Sequence, residues 1–589
     1  MGWRVRMLRG GIFMAALAVS GYAGAQTPAE HLDALADRFV DDSLANDPTL
    51  AYEAGIETNV HDRLPDRTPA GLAAFEKAER TDLAELRRLD VSALPPTSLP
   101  TYANLREKLE SDLQLRVCRT ELWNVNHMDG WQSTLADVAA AQPVDTSDHR
   151  AQAVRRWASL PHFVDVEIAN LKRGLAQGYS APKSVVGRVI DQIDAMIGAT
   201  PENSPFFSPA ARSSDTVFKA DLQRLVAERI NPALARYRNF LKRSYLARAR
   251  VGVAVSDLPN GPACYRAFLR SETTLDRPAK AVFDLGRQTV AANTSDVIRM
   301  GRRLFGTTDL QTTLLAAKSA QGEHFRSKQE LLAFSRGFLG RAKAQTAALL
   351  IPRLPGQAVV VEPERDFEEA AGVSSHLEVQ PDVARPAVYR IQLDDWADQS
   401  RAEAEIVVAH ESLPGHHLQI ALARELHSSS RLSRLISLPA YQEGWARYAE
   451  GLAEEADVYD TPGAAILRRV WPARGMVVDP GLHAFHWTRD QAIRYLVSTG
   501  RYTRKSANDM VDRIAVLPGQ LTAYDSGALQ IRALRAEAER RLGRKFDLKA
   551  FNEAVLDEGV VPLAELRRHV LAWVETRVKS RAVHHPGKQ

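Results

Sequence analysis

At 589 residues, 45% hydrophobic and 25% charged, the chain has the make-up of an ordinary globular protein, long enough for one large domain or two to three smaller ones. A core of that size needs no disulfide staples, which excludes the small cysteine-stabilised class. The formal charge of +4 drops to +1 without Arg4, Arg6 and Arg9, and no Lys/Arg stripe interleaved with aromatics stands out, so nucleic acid is not an expected partner.

The first 25 residues read as a secretory signal peptide. MGWRVRMLRG is basic, GIFMAALAVS is apolar, and Ala23-Gly24-Ala25 precedes a cleavage expected ahead of Gln26. The apolar run is too short for an ordinary membrane span, and no cysteine lies nearby to accept a lipid. The expectation is a periplasmic or secreted protein with no stable membrane insertion after cleavage. From 26 to 354 the pattern is helical, with apolar residues at three- and four-residue spacing over 29–46, 69–90, 100–118, 150–176, 217–250, 277–304 and 328–352. Pro232 is expected to kink or break the helix over 217–250. The segments 199–215 and 256–265, rich in turn formers, read as loops. The two cysteines, Cys118 and Cys264, pair or remain buried thiols; spacing alone does not choose.

Between 355 and 400 a small β element is expected, because QAVVVEPER and PAVYRIQLDD are β-branched or alternating runs. PAVYRIQLDD reads as an edge strand suited to pairing with a substrate backbone. Helical periodicity resumes at Ala402 through a C-terminal region, 401–581, and the polar tail at 582–589 is expected to be disordered. The fold class is therefore mainly α, with a small β-sheet ahead of the segment AHESLPGHHLQ (409–419).

That segment opens like the zinc-peptidase signature H-E-x-x-H, but Pro414 stands where the second histidine belongs. On a continuous helix, His416 would sit about 9 Å along the axis from His410, and His417 about 10.5 Å. Neither shares one ion with His410 unless the helix is interrupted. Pro414-Gly415 supplies the interruption: proline disfavours helix at Leu413, and glycine takes whatever dihedrals a bulge requires. Excising two residues of the bulge restores H-E-x-G-H. A third ligand is expected from an acid on the next helix, and Glu443 in YQEGWARYAEGLAEE lies 27 residues after His416. Glu450, Glu454 and Glu455 compete, but they read as the solvated face of that helix.

HESLPGHHLQ, YQEGWARYAE, VVDPGLHAFHWTRDQAIRYL and LPGQLTAYDSG together resemble a bacterial family of exported or cytoplasmic proteins of unknown function with an H-E-x-x-P-G-H-H motif. That family is similar to the helical gluzincin peptidases, including angiotensin-converting enzyme and the carboxypeptidase Taq group. The resemblance implies a large helical gluzincin-like fold, His410, His416 and Glu443 as zinc ligands, and His417 as a supporting residue that is also the rival to His416 for the second histidine position. It also implies Glu411 as general base and Tyr524 as the donor to the tetrahedral intermediate. His483 is a second candidate donor, since Asp479 four residues earlier would fix its tautomer on a helix.

Gln520 and Arg535 are candidates for holding a substrate carboxylate. Trp445 and Trp487 read as core. Zinc with an open position lowers the pKa of bound water and polarises a carbonyl, and Glu411 is placed to take the proton. The expected activity is zinc-dependent hydrolysis of short peptides, as a carboxypeptidase or dipeptidase. The rival is a metal-binding or scaffold protein of the same fold without turnover. A serine hydrolase based on Ser180 and Lys183, an S-x-x-K match, lacks companion motifs.

Overall fold

A computed structural model describes residues 26–198, 200–319, 322–364, 375–379, 384–394, 396–426 and 430–579. The expected signal peptide and tail lie outside the described residues. Helices α1 (Pro28–Asn46), α2 (Pro69–Leu86) and α3 (Leu99–Leu115) open the chain. The Thr27 and Thr68 side chains accept backbone N–H bonds at the starts of α1 and α2, and prolines occupy the first turns of all three, where no amide is needed.

Helices between 131 and 250 form a second apolar core around Trp157, Phe206 and Tyr237. The stripe over 150–176 is two helices, Ser147–Ala158 and Leu160–Ala176, parted at Ser159. The interruption expected at Pro232 is a π turn, Val226–Ile230, just ahead of it; a second follows at Leu241–Tyr245. The wider turn absorbs the missing amide and the ring. The described part of the expected loop, 200–215, holds short turns and the four-residue helix Ser208–Ala211. Helix α4 (Lys183–Ile197) belongs to this half, and α5 (Gly261–Thr273) begins inside the expected 256–265 loop. Cys264 on α5 is disulfide-bonded to Cys118, just past α3.

Helices α6 (Ala279–Phe305) and α7 (Lys328–Gln345) lead to a three-stranded sheet of β1 (Val359–Pro363), β2 (His376–Glu378) and β3 (Ala387–Ile391). Its order is β1–β3–β2, with β1 parallel and β2 antiparallel to β3. The expectation of an edge strand at PAVYRIQLDD is thus corrected: β3 is central and both its sides are paired. Its near-continuous burial, Ala387, Val388, Tyr389 and Ile391, is what a strand covered on both faces requires.

The remaining helices are α8 (Arg401–Glu411), α9 (His416–Glu425), α10 (Pro439–Glu455), α11 (Gly475–His483), α12 (Arg504–Val516), α13 (Gln520–Leu542) and α14 (Leu563–Lys579). The main core packs α1, α3, α7–α10, α13 and α14 around Tyr441 and Trp445. Helix α10 is buried nearly all round, so its polar side chains must find partners inside the protein. It crosses α13 very closely: a Cβ on Gly527 would lie 1.7 Å from the Ala440 carbonyl oxygen. Among the described residues no helix is long and apolar enough to cross a membrane.

Candidate metal centre

The helix break falls where the sequence places it. Helix α8 ends on Glu411 and α9 begins on His416, leaving residues 412–415 to turn the chain. Gly415 takes φ −81°, ψ −130°, outside the helical and extended regions, as the expected bulge requires, and a Cβ there would stand 1.9 Å from the His410 carbonyl oxygen. The glycine lets one helix start against the end of the other. Trp445 on α10 fixes the turn, donating Nε1–H to the carbonyls of Pro414 and Gly415 at 3.0 and 3.2 Å.

This folding brings His410, His416 and Glu443 together. Glu443 Oε2 lies 3.4 Å from His410 Nε2 and 3.3 Å from His416 Nε2, and donor atoms of all three residues lie within 4.8 Å of one another. A tetrahedral ion held by legs of about 2.1 Å separates its ligand atoms by about 3.4 Å. The buried Glu443 Oε2 makes no hydrogen bond. A carboxylate oxygen sealed from water and aimed between two imidazole nitrogens fits a metal ion better than it fits any protein donor nearby. Burial disfavours charge on His410, yet Glu443 and Glu450 on either side outweigh it and hold the imidazole pKa at about 10 without an ion. Burial likewise works against the Glu443 carboxylate, but the two imidazoles pull its pKa well below the ordinary range.

His417 turns away. Its Nε2 donates to the Gln357 carbonyl at 3.0 Å, and burial pushes its pKa down to about 4. Of the two histidines, His416 is the one that stands with His410 and Glu443.

Glu450 corrects the expectation of a solvated acidic face. It is buried, and its Oε1 lies 2.9 Å from His410 Nδ1. Arg447 donates Nη1–H to both its oxygens at 2.8 Å. Glu450 follows Glu443 by two helical turns, so one face of α10 supplies a candidate ligand and the group that orients another ligand. The other two acids of that helix are ion-paired nearer the surface, Glu454 with Arg469 at 2.6 Å and Glu455 with Arg535 at 2.8 Å.

Tyr524, one turn into α13, lays its ring on His410, centroids 6.2 Å apart and 22° from parallel. Its hydroxyl receives Arg513 Nη2 and Gln520 Nε2, each at 3.4 Å. Burial, and then the Glu443 charge, push the phenol up to about 12 against the pull of Arg513, so it keeps its proton. Glu411, half-buried, ends α8 next to His410.

Residues 48–570 match the family described as bacterial protein of unknown function (DUF885). The chain belongs to that family. No curated protein matches it. Among solved structures, this family member is similar to a candidate lipoprotein from Colwellia psychrerythraea. The two are 21% identical with a TM-score of 0.85, over 94% of this chain and 100% of that one. It is also similar to a candidate lipoprotein of unknown function from Shewanella oneidensis, 17% identical with a TM-score of 0.75, over 93% of this chain and 100% of that one. At these identities the likeness concerns the fold.

Other expected site residues of this family member fall elsewhere. His483 is fully buried; its Nδ1 accepts the Val255 N–H and its Nε2 donates to the Ile514 carbonyl, both at 3.0 Å. With both nitrogens used and burial pushing its pKa down to about 3, it is a packing residue rather than a donor to substrate. Asp479 does not pair with it, accepting instead the Tyr265 hydroxyl at 2.7 Å and the Gly519 N–H at 3.0 Å. Arg535 is committed to Glu455, at 3.0 and 2.8 Å, and to Glu539 at 2.9 Å, which corrects its assignment to a substrate carboxylate. Trp487 packs on Phe283 and Tyr495. Ser180 accepts the Arg250 N–H while Lys183 is exposed, so they form no nucleophile–base pair.

Two groups near the centre escape a reading by motif. Arg513 carries no motif beyond standing seven residues before Gln520. Glu272, at the end of α5, is pushed up to about 8 by burial and then by the charges of Asp479, Asp129 and Glu443. An acid that keeps its proton at neutral pH spares the centre another negative charge.

Proposed function

We propose that the chain is an exported zinc metallopeptidase that hydrolyses short peptides, as a carboxypeptidase or dipeptidase. The convergence of His410, His416 and Glu443 on one point, with Glu411 next to His410 in the chain, carries this reading. When bound, zinc in a His/His/Glu donor set supplies the Lewis acidity that activates water and polarises a carbonyl. Glu411 accepts the proton of the attacking water and delivers it to the leaving amine nitrogen. The Tyr524 hydroxyl donates a hydrogen bond to the oxyanion that develops as the carbonyl becomes tetrahedral. Glu450, braced by Arg447, holds the proton of His410 on Nδ1 and so keeps Nε2 free to coordinate. The N-terminal leader pattern supports export, and the candidate-lipoprotein descriptions of both structural neighbours agree with a place in the cell envelope.

The test combines elemental analysis with a mass-spectrometric screen of a peptide library, with and without chelator. Close to one zinc per chain and chelator-sensitive cleavage are expected; cleavage that survives complete metal removal contradicts the proposal. His416→Ala is expected to lose the metal and His417→Ala to keep it.

A further inference from the structure

We propose that Arg513 binds the terminal carboxylate of the substrate, making the centre selective for peptides with a free C-terminus; this rests on the peptidase reading above. Arg513 is half-buried on α12, and its Nη2 donates to Gln520 Oε1 at 3.1 Å and to the Tyr524 hydroxyl at 3.4 Å. Its other two nitrogens, Nε and Nη1, make no hydrogen bond among the described residues, and Nε is sealed from solvent. It belongs to none of the ion pairs of the described residues, whereas Arg188 and Arg489 are both paired with Asp512, the residue just before it.

The Glu443 and Asp129 charges act on this guanidinium only from beyond ion-pair distance. A guanidinium drawn out of water without a paired anion is costly, and a planar fork with unused N–H groups is the group best matched to a carboxylate. Its position supplies the meaning. Tyr524 joins it to His410, with ring centroids 6.2 Å apart on one side of the phenol and a 3.4 Å contact on the other. The fork thus stands on the order of 10 Å from the metal point, a reach of about three residues at most. A carboxylate held there leaves the scissile carbonyl at the centre with a short C-terminal fragment beyond it.

The experiment measures binding and turnover separately. In calorimetry with the zinc-loaded Glu411→Gln protein, an N-acetylated dipeptide with a free carboxylate is expected to bind at least about tenfold more tightly than its C-terminal amide. Adding Arg513→Gln is expected to erase that preference, and Arg513→Lys, which keeps the charge and loses the fork, to retain part of it. Equal binding of acid and amide, failure of both to bind, or a preference that survives Arg513→Gln overturns the proposal. Should the Gln variant not fold, undiminished acid preference in the Lys variant has the same force. In turnover by the unaltered chain, mass spectrometry of matched acid and amide peptides separates the two readings. Cleavage without carboxylate preference removes this inference alone. Carboxylate-selective binding without cleavage of any peptide removes the peptidase reading and leaves Arg513 as an anion site.

Discussion

Glu443 and Glu450 lie two turns apart on one face of α10, so their carboxylates reach the His410 ring from opposite sides, one at Nε2 and one at Nδ1. Their roles are separable by mutation. Glu450→Gln is expected to lower zinc affinity about 10–100-fold, read by competition with a chelator, because the ring loses the carboxylate that fixes its tautomer. Glu411→Gln is expected to leave zinc affinity unchanged and to lower kcat by about 10²–10⁴. Equal effects of the two substitutions on affinity would contradict this division. The candidate ligands were legible in the sequence because His-Glu and Gly-His flank an interruption, a pattern few structural demands produce. Glu450 and Arg513 were not. A lone charge on a helix reads as solvated unless the helix is known to be buried all round, which depends on tertiary packing. His483 misled for the converse reason: an acid four residues earlier suggests a pair, but burial sent its nitrogens to backbone groups of other segments.

At the scale of elements, the centre depends on how α8 meets α9. Gly415→Ala would drive a Cβ into the His410 carbonyl oxygen and shift the two histidines relative to each other. The expected cost is about 1–3 kcal/mol of stability, with zinc affinity reduced about tenfold or more. Gly340→Ala on α7 is the contrasting case, since its Cβ would meet nothing within 4 Å. It is expected to be neutral or to stabilise by up to about 1 kcal/mol. Thermal unfolding and chelator competition on both variants check the pair, and retention of full zinc affinity by Gly415→Ala would contradict the account of the break. Helical spacing revealed most helices, because apolar stripes record burial directly. The central place of β3 was hidden, since a short strand buried on both faces and a half-exposed edge strand share the same β-branched residues.

In the molecule as a whole, segments far apart in the chain are joined by a few cross-links whose pairing no local pattern reveals. Asp512 on α12 accepts Ser184 Oγ at 2.6 Å and Arg188 Nε at 2.8 Å from α4, together with Arg489 Nη1 at 2.6 Å. The Cys118–Cys264 disulfide ties the end of α3 to α5 across 146 residues of chain. Replacing both cysteines by serine is expected to cost about 2–4 kcal/mol, seen as a lower Tm that reductant no longer changes. The mainly α class and the small sheet follow from local periodicity, whereas long-range pairings depend on which apolar faces meet. The proposed function requires three side chains from α8, α9 and α10 to meet on one ion. Anomalous diffraction at the zinc edge, on crystals of the zinc-loaded protein, decides whether they do. One strong peak about 2.0–2.2 Å from His410 Nε2, His416 Nε2 and a Glu443 carboxylate oxygen is expected; no peak there, or one bound by His417 instead, would overturn the proposal.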